Sequence, residues 1–261
     1  MYWIDEITDR LVDWQRSLSQ DDLDLLNTLP LRQDMVTFLN YLKENKVTGT
    51  QSRGNLPLKD VRAVCARFVN PPELDTKIGD YIYKLRSEDD VFPLFFLHTI
   101  AFTGVLITGG PARKLRVTVI GEKFLKHTVP MQVGFMGFVW WYHIDWRVAY
   151  QVTGLSDGLP RGFQETCLKR LLEVPLDRFV SFDAFADRLV EDTGLSWPSL
   201  DQSMTTDILR YVIERLLIEP MKKLAVLQCK YIPNRILGLP YKELVEIKLT
   251  HVGKGLLQTL E

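Results

Sequence analysis

The stretch LRVTVIGEKFL at residues 115–125 recurs as IKLTHVGKGLL at residues 247–257. Aliphatic residues align with aliphatic residues, Arg116 aligns with Lys248, and the Thr, the first Gly and the final Leu are identical. The alternation of apolar and polar residues up to the Thr predicts a short strand with one buried face. The shared Gly then leads into an apolar helix start, so the repeat predicts the same strand–turn–helix junction at two places in the chain.

This repeated pattern resembles the end of a winged-helix domain, where the second wing strand turns into the closing helix. The resemblance covers residues 31–126 and 160–260. It implies that three helices and a β-hairpin precede the closing helix in each half. The fold class that follows is mainly α with small β-hairpins (α+β), arranged as two tandem winged-helix units.

The first half contains candidates for each of these elements. Residues 33–45 have apolar side chains at helical spacing, Pro57 suits the first turn of a helix that runs to residue 69, and Gly104 ends a third helix over residues 90–103. Residues 47–55 are turn-rich and could hold a short strand. A hairpin is predicted from residues 105–108 and 114–120, joined by a turn at Gly109, Gly110 and Pro111.

The second half repeats the order. Helices are predicted at residues 163–172, at 182–191 with Ser181 as N-cap, and at 206–217 with an extension to residue 223 past Pro220. Residues 179–180 form the short strand. The second hairpin consists of residues 225–231 and 244–250, with a longer connection over residues 232–243.

The remaining segments complete a division into four parts. Residues 1–30 form an acidic helical segment, residues 31–130 the first unit, residues 131–158 a connecting aromatic helix (131–151) with a hinge (154–158), and residues 159–261 the second unit.

Positive charge is concentrated in the two predicted hairpins, although the formal net charge of the chain is −1. This local charge predicts a phosphate-binding face for double-stranded DNA. The alternative is a plain solvated face, because half-exposed strands need polar residues on one side. The predicted contact residues are Arg113, Lys114, Arg116, Lys123, Lys230, Arg235, Lys242, Lys248 and, near the second helix, Arg62.

The third helix of each half is a poor candidate for reading bases. Residues 90–103 contain no Lys or Arg, and Arg210 and Arg215 in the second half are offset by neighbouring acids. The predicted function is therefore non-catalytic, regulatory nucleic-acid binding through the wings. The alternative is a scaffold or adaptor whose winged units bind protein.

The aromatic helix leaves two interpretations open. Its rings could be buried between the two units, or Trp140, Trp141 and Trp146 could contact a protein partner or a second copy of the chain.

Motifs for catalysis and for cofactor or metal binding are absent from the sequence. There is no nucleophile elbow, phosphate-binding loop or HExxH zinc motif, and the four histidines lack metal-ligand spacing. Cys65, Cys167 and Cys229 are far apart, which favours a reducing compartment. The acidic N-terminus is not a secretory signal, and no apolar run reaches the roughly 20 residues of a membrane span. The expectation is a cytoplasmic protein without enzyme activity, cofactor or metal.

Overall fold

The computed structural model describes residues 3–78, 81–149, 155, 158–198, 202–236 and 239–261. Helices dominate these residues, and the strands form small antiparallel sheets. The predicted class, mainly α with small β-hairpins, is therefore confirmed. The predicted hinge at residues 154–158 and the end of the aromatic helix at Gln151 fall largely or wholly outside the described residues.

The helices are α1 (Trp3–Ser17), α2 (Gln20–Asn27), α3 (Pro30–Glu44), α4 (Leu58–Cys65), α5 (Phe92–Thr103), α6 (Val119–Lys126), α7 (Val129–His143), α8 (Trp146–Ala149), α9 (Phe163–Leu172), α10 (Phe182–Thr193), α11 (Gln202–Ile213), α12 (Glu219–Lys223) and α13 (His251–Thr259). The strands are β1 (Thr76–Ile78), β2 (Tyr81–Tyr83), β3 (Ile107–Gly110), β4 (Arg113–Val117), β5 (Val180–Ser181), β6 (Leu227–Ile236) and β7 (Leu239–Leu249). A 3-10 turn spans Glu88–Asp90, and a π-helical turn spans Glu214–Ile218.

The chain divides into two compact units. The central unit is Asn27–Ile144, and the terminal unit combines Met1–Leu26 with Asp145–Glu261. This division differs from the predicted one in two respects: the acidic N-terminal segment belongs with the second half of the chain, and the predicted connecting segment is split at Ile144.

Three helices, α3, α5 and α7, build the core of the central unit, where they pack against one another. Phe38, Phe96 and Val139 are fully buried. The rings of Phe96 and Trp140 lie 5.2 Å apart between centroids. The β3–β4 hairpin follows α5, and an isolated bridge between Thr48 and Lys114 adds a third short strand segment beside β4.

The terminal unit contains a three-stranded sheet in the order β5-β7-β6. Helices α9, α10 and α11 pack in sequence, and α13 packs against α1 and α9. Gly255 of α13 lies against the Trp14 indole of α1, where an added Cβ would come within 2.6 Å of the ring. The aligned residue of the first repeat is Lys123, so this difference between the copies accommodates α1.

The second hairpin is longer than predicted. Pairing continues from Leu227 opposite Leu249 to Ile236 opposite Leu239, so the predicted connection at residues 232–243 consists largely of strand. Pro233 and Pro240 suggested a loop. Within the described ranges, neither proline has a further strand on its outer side, because β5 pairs with β7 at Ile247 and Glu246 and not beside Pro240. Proline is tolerated at such strand edges.

The aromatic helix is shorter than predicted. Helix α7 ends at His143, Ile144 is extended, and the Asp145 carboxylate accepts a hydrogen bond of 3.0 Å from the Arg147 backbone N–H at the start of α8. Asp145 therefore supplies the N-terminal cap that separates the two helices. A continuous helix over residues 131–151 is wrong for this reason.

The two repeat copies form closely similar junctions. In each copy a helix ends with a residue in the left-handed region, Val105 (φ 56°) or Ala225 (φ 59°). The next residue's N–H then reaches back five residues, from Leu106 to Ala101 and from Val226 to Met221, both at 2.8 Å. This is a Schellman-type helix end.

A threonine closes each junction from the other side. The Thr118 hydroxyl donates to the Val105 carbonyl (2.6 Å) and accepts from the Gly121 N–H (3.0 Å). The Thr250 hydroxyl likewise donates to the Ala225 carbonyl (2.6 Å) and accepts from the Gly253 N–H (2.7 Å). Each hydroxyl therefore joins the end of one helix to the start of the next.

The shared glycine is required by close packing. A Cβ on Gly121 would lie 2.2 Å from the Leu106 carbonyl oxygen, and one on Gly253 would lie 2.2 Å from the Val226 carbonyl oxygen. Backbone atoms can move away only at a high cost in conformational energy. Any side chain at these positions would therefore displace the closing helix from the first hairpin strand.

We expect Thr250→Val to lower the free energy of unfolding by about 1–2 kcal/mol, since it preserves shape but removes a buried helix cap. Thr250→Ser keeps the hydroxyl and should cost less. Urea denaturation followed by circular dichroism measures both. Equal losses for the two variants would show that the hydroxyl contributes nothing.

Candidate nucleic-acid interface

The outer face of the first hairpin carries exposed cations. Leu115 points into the core, and Lys114 and Arg116 on either side of it are exposed, as strand alternation requires. Arg113 at the start of β4 is also exposed. None of the acidic side chains that the structure describes forms an ion pair with these three residues.

Strand pairing places hydroxyls beside the cations. Thr48 lies opposite Lys114, and Thr108 lies opposite Arg116, so all four side chains share one face. Lys46, two residues before Thr48, is exposed and belongs to the same face by alternation. Arg113, exposed at the hairpin turn, lies beside this face without belonging to it by alternation. We call the five residues and Arg113 together the basic sheet face: Lys46, Thr48, Thr108, Arg113, Lys114 and Arg116.

The loop over residues 49–55 holds the hairpin in place. The Gly49 N–H donates to the Arg113 carbonyl (2.9 Å), and the Ala112 N–H donates to the Thr50 carbonyl (3.3 Å). Gly54 has φ 79°, and a Cβ there would lie 2.7 Å from the Gly110 carbonyl carbon. The hairpin turn therefore rests directly on the backbone of this loop.

A buried acidic residue fixes the same loop to α5. Glu88 is 1% exposed; one carboxylate oxygen accepts from the Leu56 N–H (2.5 Å) and the other lies 2.6 Å from Nδ1 of His98. Asp89 accepts from the Asn55 amide (2.7 Å). The adjacent acids Glu88, Asp89 and Asp90 form a charged run in the sequence, and such a run does not predict that its first member is buried.

Four other cations of the central unit form ion pairs: Lys43, Arg53, Arg62 and Arg67. Arg62, a predicted contact residue, makes two hydrogen bonds of 2.9 and 2.8 Å to Asp75. This pairing, with a hydrogen bond from the Leu85 N–H, lowers the pKa of Asp75 to about 2. Arg62 is therefore removed from the predicted interface. Lys123 is exposed on α6, outside the sheet.

The second hairpin offers fewer available cations. Lys230 pairs with Glu246 at 2.7 Å, and both Lys230 and Lys248 lie over the Phe179 ring, at 3.9 and 5.1 Å from its centroid. Lys242 is exposed. The side chain of Arg235 lies outside the described residues. The two hairpins therefore differ in how many of their cations lack an acidic partner among the described residues, although the sequence predicted the same role for both.

The third helices offer no free base-reading face in the described part of the chain. Helix α5 buries Leu94, Leu97 and Ile100. On α11, Arg210 is bound by Asp183 at 2.6 Å and by both oxygens of Asp187 at 2.8 and 2.6 Å. This contact lowers the pKa of Asp187.

The three tryptophans predicted as partner contacts are core residues. Trp140, Trp141 and Trp146 are 0%, 2% and 1% exposed. Trp146 packs edge-on against Phe163 within the terminal unit, with 6.2 Å between ring centroids. Their prediction as a contact surface is wrong, because the helix ends before Trp146 and α7 is buried on most of its circumference. Tyr142 is the exposed aromatic residue of this helix.

Across the described ranges, no group of three His, Cys, Asp or Glu residues could hold a metal ion. Within the same ranges, no helix is both long and apolar enough to span a bilayer.

Comparison with protein families, curated proteins and solved structures found no match to the chain. The winged-helix resemblance therefore remains a prediction.

Gly54→Ala is expected to lower the free energy of unfolding by at least about 1 kcal/mol more than Gly194→Ala. Both glycines have a left-handed φ (79° and 66°), but an added Cβ meets nothing at Gly194 and the hairpin backbone at Gly54. The difference therefore isolates the close approach of loop and hairpin. Chemical denaturation of both variants measures it, and an equal cost would contradict the proposed support.

Proposed function

We propose that this chain is a non-catalytic, regulatory nucleic-acid-binding protein that contacts the phosphate backbone of double-stranded DNA through the basic sheet face. One observation carries the proposal. Arg113, Lys114 and Arg116 are exposed on a braced hairpin and lack acidic partners among the described residues.

The side chains of this face suit phosphate. Arg and Lys neutralise phosphate charge and release counterions, and the Thr48 and Thr108 hydroxyls can donate hydrogen bonds to phosphate oxygens. A braced hairpin loses little conformational freedom on binding, which favours affinity. The contacts concern the backbone, so they position the protein without reading sequence.

Weak sequence preference is part of the proposal. Major-groove recognition needs an exposed helix with hydrogen-bonding side chains aimed at base edges. Helix α5 is largely buried, and the Arg210 guanidinium of α11 is held by two carboxylates. Binding would therefore depend steeply on salt and little on base sequence.

Two alternatives to DNA binding can be distinguished from it by experiment or by structure. A plain solvated strand face predicts no duplex binding even at low salt. A protein adaptor is favoured by a separate observation, an open groove in the terminal unit.

Replacing Arg113, Lys114 and Arg116 together by Ala should weaken binding to a mixed-sequence duplex by roughly tenfold or more at low salt. The slope of log affinity against log salt should fall by about 3, one for each lost phosphate contact. Fluorescence anisotropy with a labelled duplex at several salt concentrations measures both quantities.

Two matched variants make the test specific. Replacing Lys169, Arg178 and Arg188 by Ala removes three exposed cations elsewhere and changes net charge equally, so binding should change little. Arg113→Lys with Arg116→Lys keeps the charge and should retain the salt slope. Equal loss in both alanine triples would attribute binding to overall charge and overturn the proposal.

A further inference from the structure

The terminal unit contains an open groove of about 610 Å³ with an apolar floor. It lies between the start of α10, the face of α11 and the far half of the β6–β7 hairpin. Phe182 and Leu244 form its buried floor. Met204 and Tyr211 line it and are 57% and 54% exposed, so two accessible large side chains lie beside the apolar floor.

Negative charge dominates the lining of this groove. Among the described lining residues, Arg210 is the basic one, and it is already bound by Asp183 and Asp187. Glu243 accepts a hydrogen bond of 2.6 Å from the Asn234 amide, on the inner face of the hairpin that also presents Tyr241. The carboxylates that line the groove are Asp183, Asp207, Glu214 and Glu243.

A π-helical turn places Glu214 at the groove. Pro220 removes a backbone donor and would clash with the preceding helical turn, and the wider turn at Glu214–Ile218 accommodates it. Burial and the nearby Glu219 raise the pKa of Glu214 to about 7, while Arg215 and Lys222 oppose this and Glu243 adds to it. The groove therefore gains negative charge between pH 6 and pH 8.

We propose that this groove binds a segment of a partner protein that carries Lys or Arg alternating with large apolar side chains. The excess of carboxylates attracts cations and repels phosphate, so nucleic acid does not suit it. Tyr241 offers a ring face to a cation, whereas Arg215 already lies over the Tyr211 ring at 5.9 Å from its centroid, so Tyr211 contributes apolar contact area. Met204 adapts to varied apolar side chains. This site is independent of the basic sheet face and goes beyond nucleic-acid binding.

Two labelled peptides test the groove directly. In one, Lys, Leu and Ser repeat four times; in the other, Ser replaces every Leu and the charge is unchanged. Fluorescence anisotropy with the full chain should show about tenfold tighter binding of the Leu-containing peptide. Failure of the chain to bind it, or equal affinity for both peptides, would overturn the proposal.

Variants then locate the binding. Met204→Ser with Tyr211→Ser should abolish the preference for the Leu-containing peptide, and Asp207→Asn should weaken both peptides. Val119→Ser removes an apolar side chain that is also exposed, but in the central unit, and should leave the preference intact. Binding unaffected by the groove variants would contradict the assignment.

Two further experiments distinguish peptide binding in the groove from DNA binding at the basic sheet face and from self-association. The Arg113, Lys114 and Arg116 triple alanine variant should bind peptide like the unaltered chain, so failure of DNA binding and failure of peptide binding are distinguishable. Sedimentation over a concentration series should show no self-association that depends on Met204 and Tyr211. If it does, a second copy occupies the groove and the partner assignment is wrong.

Glu214→Gln should raise the melting temperature at pH 8 and leave it almost unchanged at pH 5. A carboxyl whose pKa is raised by folding favours the unfolded state progressively as pH rises from its ordinary value of 4.5 through about 7. Thermal unfolding at both pH values measures this. Peptide affinity of the unaltered chain should also rise from pH 6 to pH 8, and that rise should vanish in the variant; a pH-independent difference in melting temperature would contradict the role given to Glu214.

Discussion

In each half of the chain a threonine hydroxyl joins three elements: the end of one helix, the start of the hairpin that follows it, and the start of the closing helix. Thr118 and Thr250 each donate to the carbonyl of a left-handed residue and accept from a glycine N–H. Helix ends carry unpaired carbonyls and N–H groups, so one hydroxyl satisfies both kinds. The glycine is the second half of this constraint, because only its missing side chain lets the closing helix approach the preceding strand.

This junction determines which residues of the hairpin face outward. With Thr118 fixed, alternation along β4 sends Leu115 inward and leaves Lys114 and Arg116 exposed. The loop over residues 49–55 then supports the turn, and Glu88 fixes that loop to α5. The exposed cations of β4 are therefore positioned by a series of contacts: the Thr118 hydroxyl at the junction, the loop over residues 49–55, and the Glu88 carboxylate. In the second copy the same junction carries a longer hairpin, whose Lys230 is paired with Glu246 and whose far half borders an acidic groove. The two copies thus share one junction and differ in the surfaces that their hairpins present.

Local patterns predicted the local structure well. The helix at residues 163–172, the Ser181 cap and the continuation of the helix past Pro220 follow from spacing, capping chemistry and the limits that proline imposes. The exposed cations of β4 follow from strand alternation. Pairings between distant residues could not be predicted in this way: Arg62 with Asp75 and Lys230 with Glu246 depend on tertiary contacts that no local pattern encodes. The length of the second hairpin was underestimated because it contains two prolines. Proline is excluded from a strand only where its missing N–H would have to pair with a neighbouring strand. The groove was also missed, since its lining comes from three separate elements.

The proposed function requires that duplex DNA bind to the outer face of the first hairpin. Amide chemical-shift mapping of the ¹⁵N-labelled chain, titrated with a mixed-sequence duplex at low salt, tests the location directly. The account predicts that the largest changes fall at Lys46–Thr48, Thr108 and Arg113–Arg116, and that these changes disappear as salt is raised. Changes confined to other surfaces, or none at a duplex concentration well above that of the protein, would contradict it.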